Sequence, residues 1–146
     1  MKIYKPIIFI SIMTILFGTN PAFSASAIKL YKSPTCGCCE KYVDYLRAND
    51  FAVTAVNESD MSAIKKKYGM DHAASCHTAL IGGYVIEGHV SVGAINKLLK
   101  EKPDIVGISA PGMPQNSPGM GEMKKGTLTI YAVPKYGKSS YVFSVE

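Results

Sequence analysis

The 146-residue chain has no glycine-rich phosphate loop and no Ser/His/Asp arrangement, so the usual machinery of nucleotide binding and serine hydrolysis is missing. After the first 27 residues no apolar run approaches the about 20 residues that a membrane-spanning helix needs. No internal repeat marks a solenoid or propeller. Charge is sparse: the formal value of +5 falls to +3 when Lys2 and Lys5 are set aside. That balance is too mild for a nucleic-acid-binding protein, and the run Lys65-Lys66-Lys67, on a predicted helix, reads as a solvated face. Cysteine is also scarce. There are four, but Cys36, Cys38 and Cys39 fall within four positions, and Cys76 follows 37 residues after Cys39.

The N-terminus reads as a targeting segment. Lys2 and Lys5 form a positive region, Pro6 to Phe17 is nearly continuously apolar, and Ala22 to Ala27 offers A-x-A-like cleavage sites. The apolar run is short for an anchor. Residues 1–27 are therefore expected to be a cleaved signal peptide, leaving 28–146 as a single exported domain with no stable membrane anchor. Export into an oxidising compartment would expose all four cysteines to disulfide formation unless metal or a reductant protects them.

Ile28 to Tyr31 reads as a strand, and a helix from about Cys38 to Asn49 carries Cys39, Tyr42, Val43 and Leu46 on one stripe. Phe51 to Val56 reads as a second strand. Ser59 or Asp60 caps a second helix with Met61, Ile64 and Tyr68 inward and Gly69 as its stop, Met61 serving as core filler. Asp71 to Thr78 breaks the pattern and carries His72, Cys76 and His77. Two short strands then flank Gly82-Gly83, a strong hairpin signal. Ser91 caps a third helix bearing Val92, Ile95, Leu98 and Leu99, closed by Pro103. The order β-α-β-α-β-β-α is that of a thioredoxin-like α/β sandwich. Ala110 to Met123, rich in Pro, Gly and Met, is expected to be irregular. Thr127 to Val133 and Ser140 to Val145 read as an additional C-terminal β-hairpin, either extending the sheet or packing separately.

The chemistry centres on Ser33-Pro34-Thr35-Cys36-Gly37-Cys38-Cys39. Cysteines opening a helix lie at the dipole end that stabilises thiolate, which is both a redox nucleophile and a soft metal ligand. Cys36 and Cys39 form a C-x-x-C pair able to act in thiol–disulfide exchange, and Cys38 converts it to the rarer C-G-C-C. Cys38 and Cys39, being adjacent, are disfavoured as a mutual disulfide. In thioredoxin-like folds the loop entering the third strand packs against the cysteine loop, so Cys76 and His77 are expected to face the other three sulfurs. Redoxins place a cis-proline in that loop; Ala74-Ser75-Cys76-His77-Thr78 has none. Four thiolates without hard ligands suit Cu(I) or Zn(II) rather than calcium or magnesium. Crowded C-x-C-C favours several Cu(I) ions sharing bridging thiolates over a zinc held by two knuckles. His89, after Glu87-Gly88 at a turn, reads as a solvated surface histidine, as does His72. Met113, Met120 and Met123 are soft thioethers that either cover the apolar side of the sheet or hand on Cu(I).

Four stretches together carry a family resemblance: the Ser33–Cys39 run, Ser75-Cys76-His77-Thr78-Ala79, Gly82 to Val90, and Pro111-Gly112-Met113-Pro114 to Pro118-Gly119-Met120. They resemble the exported CopG-type copper-resistance proteins, a thioredoxin-like family long described as of unknown function. The resemblance implies Cu(I) held by Cys36, Cys38, Cys39 and Cys76, and copper redox handling in the periplasm, alone or with other periplasmic copper-handling proteins. It extends to about Met120; the strands from Thr127 on are not matched to it. The expected activity is copper oxidoreduction or Cu(I) sequestration, with Cys36 and Cys39 as the redox pair. A general thiol–disulfide oxidoreductase using Cys36 and Cys39 is the alternative, and a module stapled by two disulfides, with an inert site, is a third.

Overall fold

A computed structural model describes residues 26–146; the expected signal peptide lies, but for its last two residues, outside them. In chain order the elements are β1 (Ala27–Lys32), α1 (Gly37–Arg47), β2 (Ala52–Asn57), α2 (Met61–Lys67), a 3-10 turn (Asp71–Ala73), β3 (His77–Ile81), β4 (Tyr84–Glu87), α3 (Val92–Glu101), β5 (Ile105–Ser109), β6 (Thr129–Pro134) and β7 (Tyr141–Val145). The strands form one seven-stranded sheet in the order β2-β1-β3-β4-β5-β6-β7. β1 pairs parallel with β2 and antiparallel with β3, β3 and β4 form the hairpin across Gly82-Gly83, and β4 pairs parallel with β5. This is the thioredoxin-like α/β fold that the sequence pattern predicts, with the C-terminal hairpin extending the sheet edge.

The caps are those expected from composition. The Asp60 side chain accepts the Ala63 N–H and the Ser91 hydroxyl accepts the Ala94 N–H, each satisfying an otherwise orphaned helix donor. Cys39, Tyr42, Val43 and Leu46 are the buried stripe of α1. Tyr42, Val43 and Leu46 pack with Ile28, Leu30, Ile81, Ile86, Ile95, Leu98, Ile108 and Ile130 in the main core. A smaller cluster of Met70, Ala73, Val85 and Val133 is distinct from it, and the adjacent residues Val85 and Ile86 of β4 fall one in each, as a strand's alternation requires.

Two features depart from expectation. β5 had no place in the β-α-β-α-β-β-α order, because Ile105 to Ser109 is short, follows Pro103 closely and is interrupted by Gly107. That glycine is demanded by packing: a Cβ there would collide with the carbonyl of Val85 on β4. With β5 in place, the C-terminal strands have an edge to join, β6 pairing antiparallel with β5 and β7 with β6. The second departure is Lys65. It does not belong to a solvated face; it is 8 % exposed and its Nζ lies 2.5 Å from Glu87 Oε1. Lys66 and Lys67 are exposed.

Candidate metal centre

β1 delivers the chain to a turn closed by the Cys36 N–H donating to the Ser33 carbonyl at 3.1 Å, and Cys36 becomes the N-cap of α1. Gly37, Cys38 and Cys39 open the helix, and at about 100° per residue the Cys38 and Cys39 side chains leave it about 100° apart. Cys39 faces the core and is fully buried; Cys36 and Cys38 are half-buried at the rim. Cys36 and Cys39 form a disulfide, with Cα atoms 5.3 Å apart. Cys38 and Cys76 are free thiols. One bridge is present rather than the two of the stapled-module reading.

From the other side, the loop before β3 brings in Cys76. Its Sγ lies 4.0 Å from Cys38 Sγ, and Cys38 Sγ lies 3.5 Å from Cys36 Sγ. All four sulfurs lie within 4.8 Å of one another. A second group shares Cys76: its Sγ is 3.4 Å from His77 Nδ1 and 2.9 Å from His89 Nε2.

His89 is therefore not a solvated surface residue. It is fully buried, and its Nδ1 donates to the Pro118 carbonyl at 2.7 Å. That bond fixes the tautomer and leaves the Nε2 lone pair facing the Cys76 thiol, the arrangement by which a metal-binding histidine is commonly oriented. His77 is likewise buried, stacked 4.5 Å from Tyr42 and 4.8 Å from the His89 ring. Its Nε2 has no hydrogen-bond partner. Tyr42 forms the floor, its hydroxyl donating to the Val90 carbonyl. His72 is exposed beside Asp71, as expected. Met113 and Met123 are 57 % and 38 % exposed and do not cover the sheet, whereas Met120 is half-buried.

The hairpin register is the signal that would have found His89. The two-residue turn pairs Ile81 with Tyr84 and Thr78 with Glu87. Continued past the strand ends, the same register sets His77 against Gly88, whose N–H donates to the His77 carbonyl, and Cys76 against His89.

Burial controls the charge state of the group. Cys76 is pushed up to about 12, first by burial and then by the neighbouring Cys38 thiol. Burial holds His77 well below the usual histidine range, with repulsion from His89 and Lys65 adding to it. His89 is lowered by burial too, partly offset by its bond to Pro118. The metal-free site thus presents neutral imidazoles and a protonated Cys76. A soft metal ion entering it must displace the thiol proton, while the imidazole lone pairs are already available. The sulfur cluster, the His77 and His89 ring nitrogens beside Cys76 and the absence of a carboxylate within either group fit a soft or borderline ion such as copper.

A family model described as "Protein of unknown function, DUF411" matches residues 73–120, the segment that carries Cys76, His77, His89 and the Pro/Gly/Met-rich loop. Two solved structures of copper resistance protein CopG are similar over most of the chain. Form 2 is 36% identical, covering 84% of this chain and 98% of that one with a TM-score of 0.75. Form 1 is 37% identical, covering 82% and 96% with a TM-score of 0.73. No curated protein sequence matches the chain.

Proposed function

This chain belongs to the CopG family of copper-resistance proteins, and on that premise we propose that it is an exported protein that binds Cu(I) through Cys36, Cys38, Cys39 and Cys76. His77 and His89 join them as imidazole donors through Cys76. The observation that carries the reading is the convergence of four sulfurs within 4.8 Å, with Cys76 shared by a second, imidazole-containing group. Such a cluster has more donor atoms than one low-coordinate Cu(I) uses, so it takes more than one ion per chain, with thiolates bridging.

Thiol and copper redox changes are coupled through the Cys36–Cys39 pair. When both thiols are reduced, forming the disulfide releases two electrons and two protons, and the electrons take two Cu(II) to two Cu(I). Once the disulfide has formed, as here, Cys38, Cys76 and the histidines remain as donors. Copper is the substrate of this chemistry. Sequestration of Cu(I) by the fully reduced cluster is the simpler form of the same reading. The site of action is the periplasm, reached through cleavage of the N-terminal segment, and nothing in the charge balance points to nucleic acid.

The second reading, a general thiol–disulfide oxidoreductase, draws on the Cys36–Cys39 disulfide at a helix N-terminus. Cys38 separates the two. Exchange chemistry needs only an attacking and a resolving thiol, which Cys36 and Cys39 provide. A copper cluster uses every sulfur. Cys38→Ser and Cys76→Ser are each expected to lower the number of Cu(I) bound in an anaerobic titration, and to lower copper tolerance, while the Cys36–Cys39 disulfide still forms. If both variants bind copper like the parent and only Cys36→Ser or Cys39→Ser abolishes function, the four-cysteine copper site is wrong.

A further inference from the structure

Directly behind the Cys76 loop lies a buried ionic network that neither copper binding nor disulfide chemistry uses. Glu87, at the end of β4, is fully buried. Its Oε1 accepts Lys65 Nζ at 2.5 Å and the main-chain N–H of Ser75 at 2.6 Å. Its Oε2 accepts the Thr78 hydroxyl at 2.7 Å, and Lys65 Nζ also lies 3.3 Å from Thr78 Oγ1. One carboxylate on β4 thus holds α2 through Lys65, β3 through Thr78, and the main chain one residue before Cys76.

The loop needs such a device. Ala74-Ser75-Cys76-His77-Thr78 contains no proline to fix its backbone. Its other ties are the Ser75 hydroxyl donating to the Gly112 carbonyl, the Gly112 N–H reaching the Ala74 carbonyl at 3.5 Å, the Gly88 N–H donating to the His77 carbonyl, the Cys76 sulfur 2.9 Å from His89 Nε2, and Gly88 abutting the Ser75 side chain so closely that a Cβ would overlap it. Of these contacts only the Glu87 bond to the Ser75 N–H is charge-assisted, the stronger class of hydrogen bond.

We infer that Glu87, with Lys65 as its counter-ion, is a positioning residue that holds Cys76 against Cys38 by anchoring the Ser75 main chain. It touches no sulfur. It acts through the loop, and Lys65 serves to make a buried carboxylate tolerable. The inference concerns the placement of Cys76 and depends on the copper reading only for its copper readout.

The test compares two doubly substituted proteins in which the buried charges are gone from both sides. Replacing a buried ion pair by uncharged side chains of similar volume is often neutral or stabilising, whereas removing one partner alone is not. Lys65→Met/Glu87→Gln keeps an amide oxygen able to accept the Ser75 N–H. Lys65→Met/Glu87→Leu does not. With the Cys36–Cys39 disulfide intact, diamide oxidises the two remaining thiols to a Cys38–Cys76 disulfide, and its rate reports how often the sulfurs meet. The Glu87→Gln double should cross-link at the parent rate. The Glu87→Leu double should be slower by about tenfold, the factor produced by a loss of about 1.4 kcal/mol. Equal rates in the two folded doubles would overturn the inference.

Should the Glu87→Leu double fail to fold, Lys65→Met/Glu87→Met takes its place: the methionine is unbranched like glutamate and equally lacks an oxygen to accept the Ser75 N–H. Slower cross-linking in it than in the Glu87→Gln double supports the anchor; equal rates overturn it. Anaerobic Cu(I) titration of the same proteins, fully reduced, separates the two readings. Slower cross-linking with unchanged copper stoichiometry would retain the anchor and remove Cys76 from the copper site.

Discussion

At the scale of the residue, Cys76 is where two kinds of donor meet, three cysteines from one helix turn and two histidines from one hairpin. The cysteines were legible because C-G-C-C is rare and because the loop before the third strand has a known place in this topology. His89 was not, because a histidine after Glu-Gly looks like any turn residue when its neighbours are read one at a time. The pairing register of the hairpin, which runs through Gly82-Gly83, assigns it opposite Cys76, and that information lies thirteen residues of chain away. The buried imidazoles have a consequence for stability. In the metal-free protein His77 and His89 stay neutral against Tyr42, Cys76, Cys38 and Lys65, with their proton affinity depressed mainly by burial. The unfolded chain protonates them at about 6.5, so below that pH it holds protons the folded state refuses. Their stabilising contribution is complete above about pH 6.5 and is lost as pH falls toward the depressed folded values. The urea midpoint of the metal-free protein should therefore drop between pH 7.5 and 5.5, and His77→Gln/His89→Gln should show a smaller drop. A drop of the same size in both proteins would assign the effect to other groups.

At the scale of the element, helices and hairpin followed from local chemistry: caps at Asp60 and Ser91, apolar stripes at helical spacing, a Gly-Gly turn. β5 escaped that logic because its identity is set by what lies beside it. Gly107 weakens any strand reading taken in isolation, yet its missing side chain is what lets β5 approach the Val85 carbonyl. The same holds for Lys65, indistinguishable by sequence from Lys66 and Lys67, and buried only because the spacing of α2 aims it at Glu87 across β3. Gly107→Ala tests the first of these. Overpacking against backbone cannot be relieved by a rotamer change, so a destabilisation of about 3 kcal/mol is expected, at the upper end of what inserted methyl groups cost. A denaturant melt reads it directly. Because β5 carries β6 and β7 as well as β4, the loss should be cooperative across the sheet. A stable variant with an unchanged midpoint would mean that β4 and β5 separate more easily than their pairing implies.

At the scale of the whole molecule, the sheet places the chemistry at one end and the expected cleavage site at the start of β1, and the two constrain each other. β1 leads into the cysteine turn, so whatever cleavage removes from its beginning loosens the strand that positions Cys36. The parallel pairing with β2 begins at Ala27 opposite Ala52, and the Ser26 carbonyl accepts the Ala52 N–H at 3.2 Å. Cleavage after Ala27, the boundary that the small-residue stretch suggests, would discard both contacts. Cleavage after Ala25 would keep them. N-terminal sequencing of protein from the periplasmic fraction is expected to find Ser26 or an earlier residue first, ahead of an intact β1. A mature chain beginning at Ile28 would show that the first rung of the β1–β2 ladder is dispensable. Recovery of intact Met1 in the membrane pellet would refute export by cleavage altogether, and with it the expectation that these four cysteines work in an oxidising compartment.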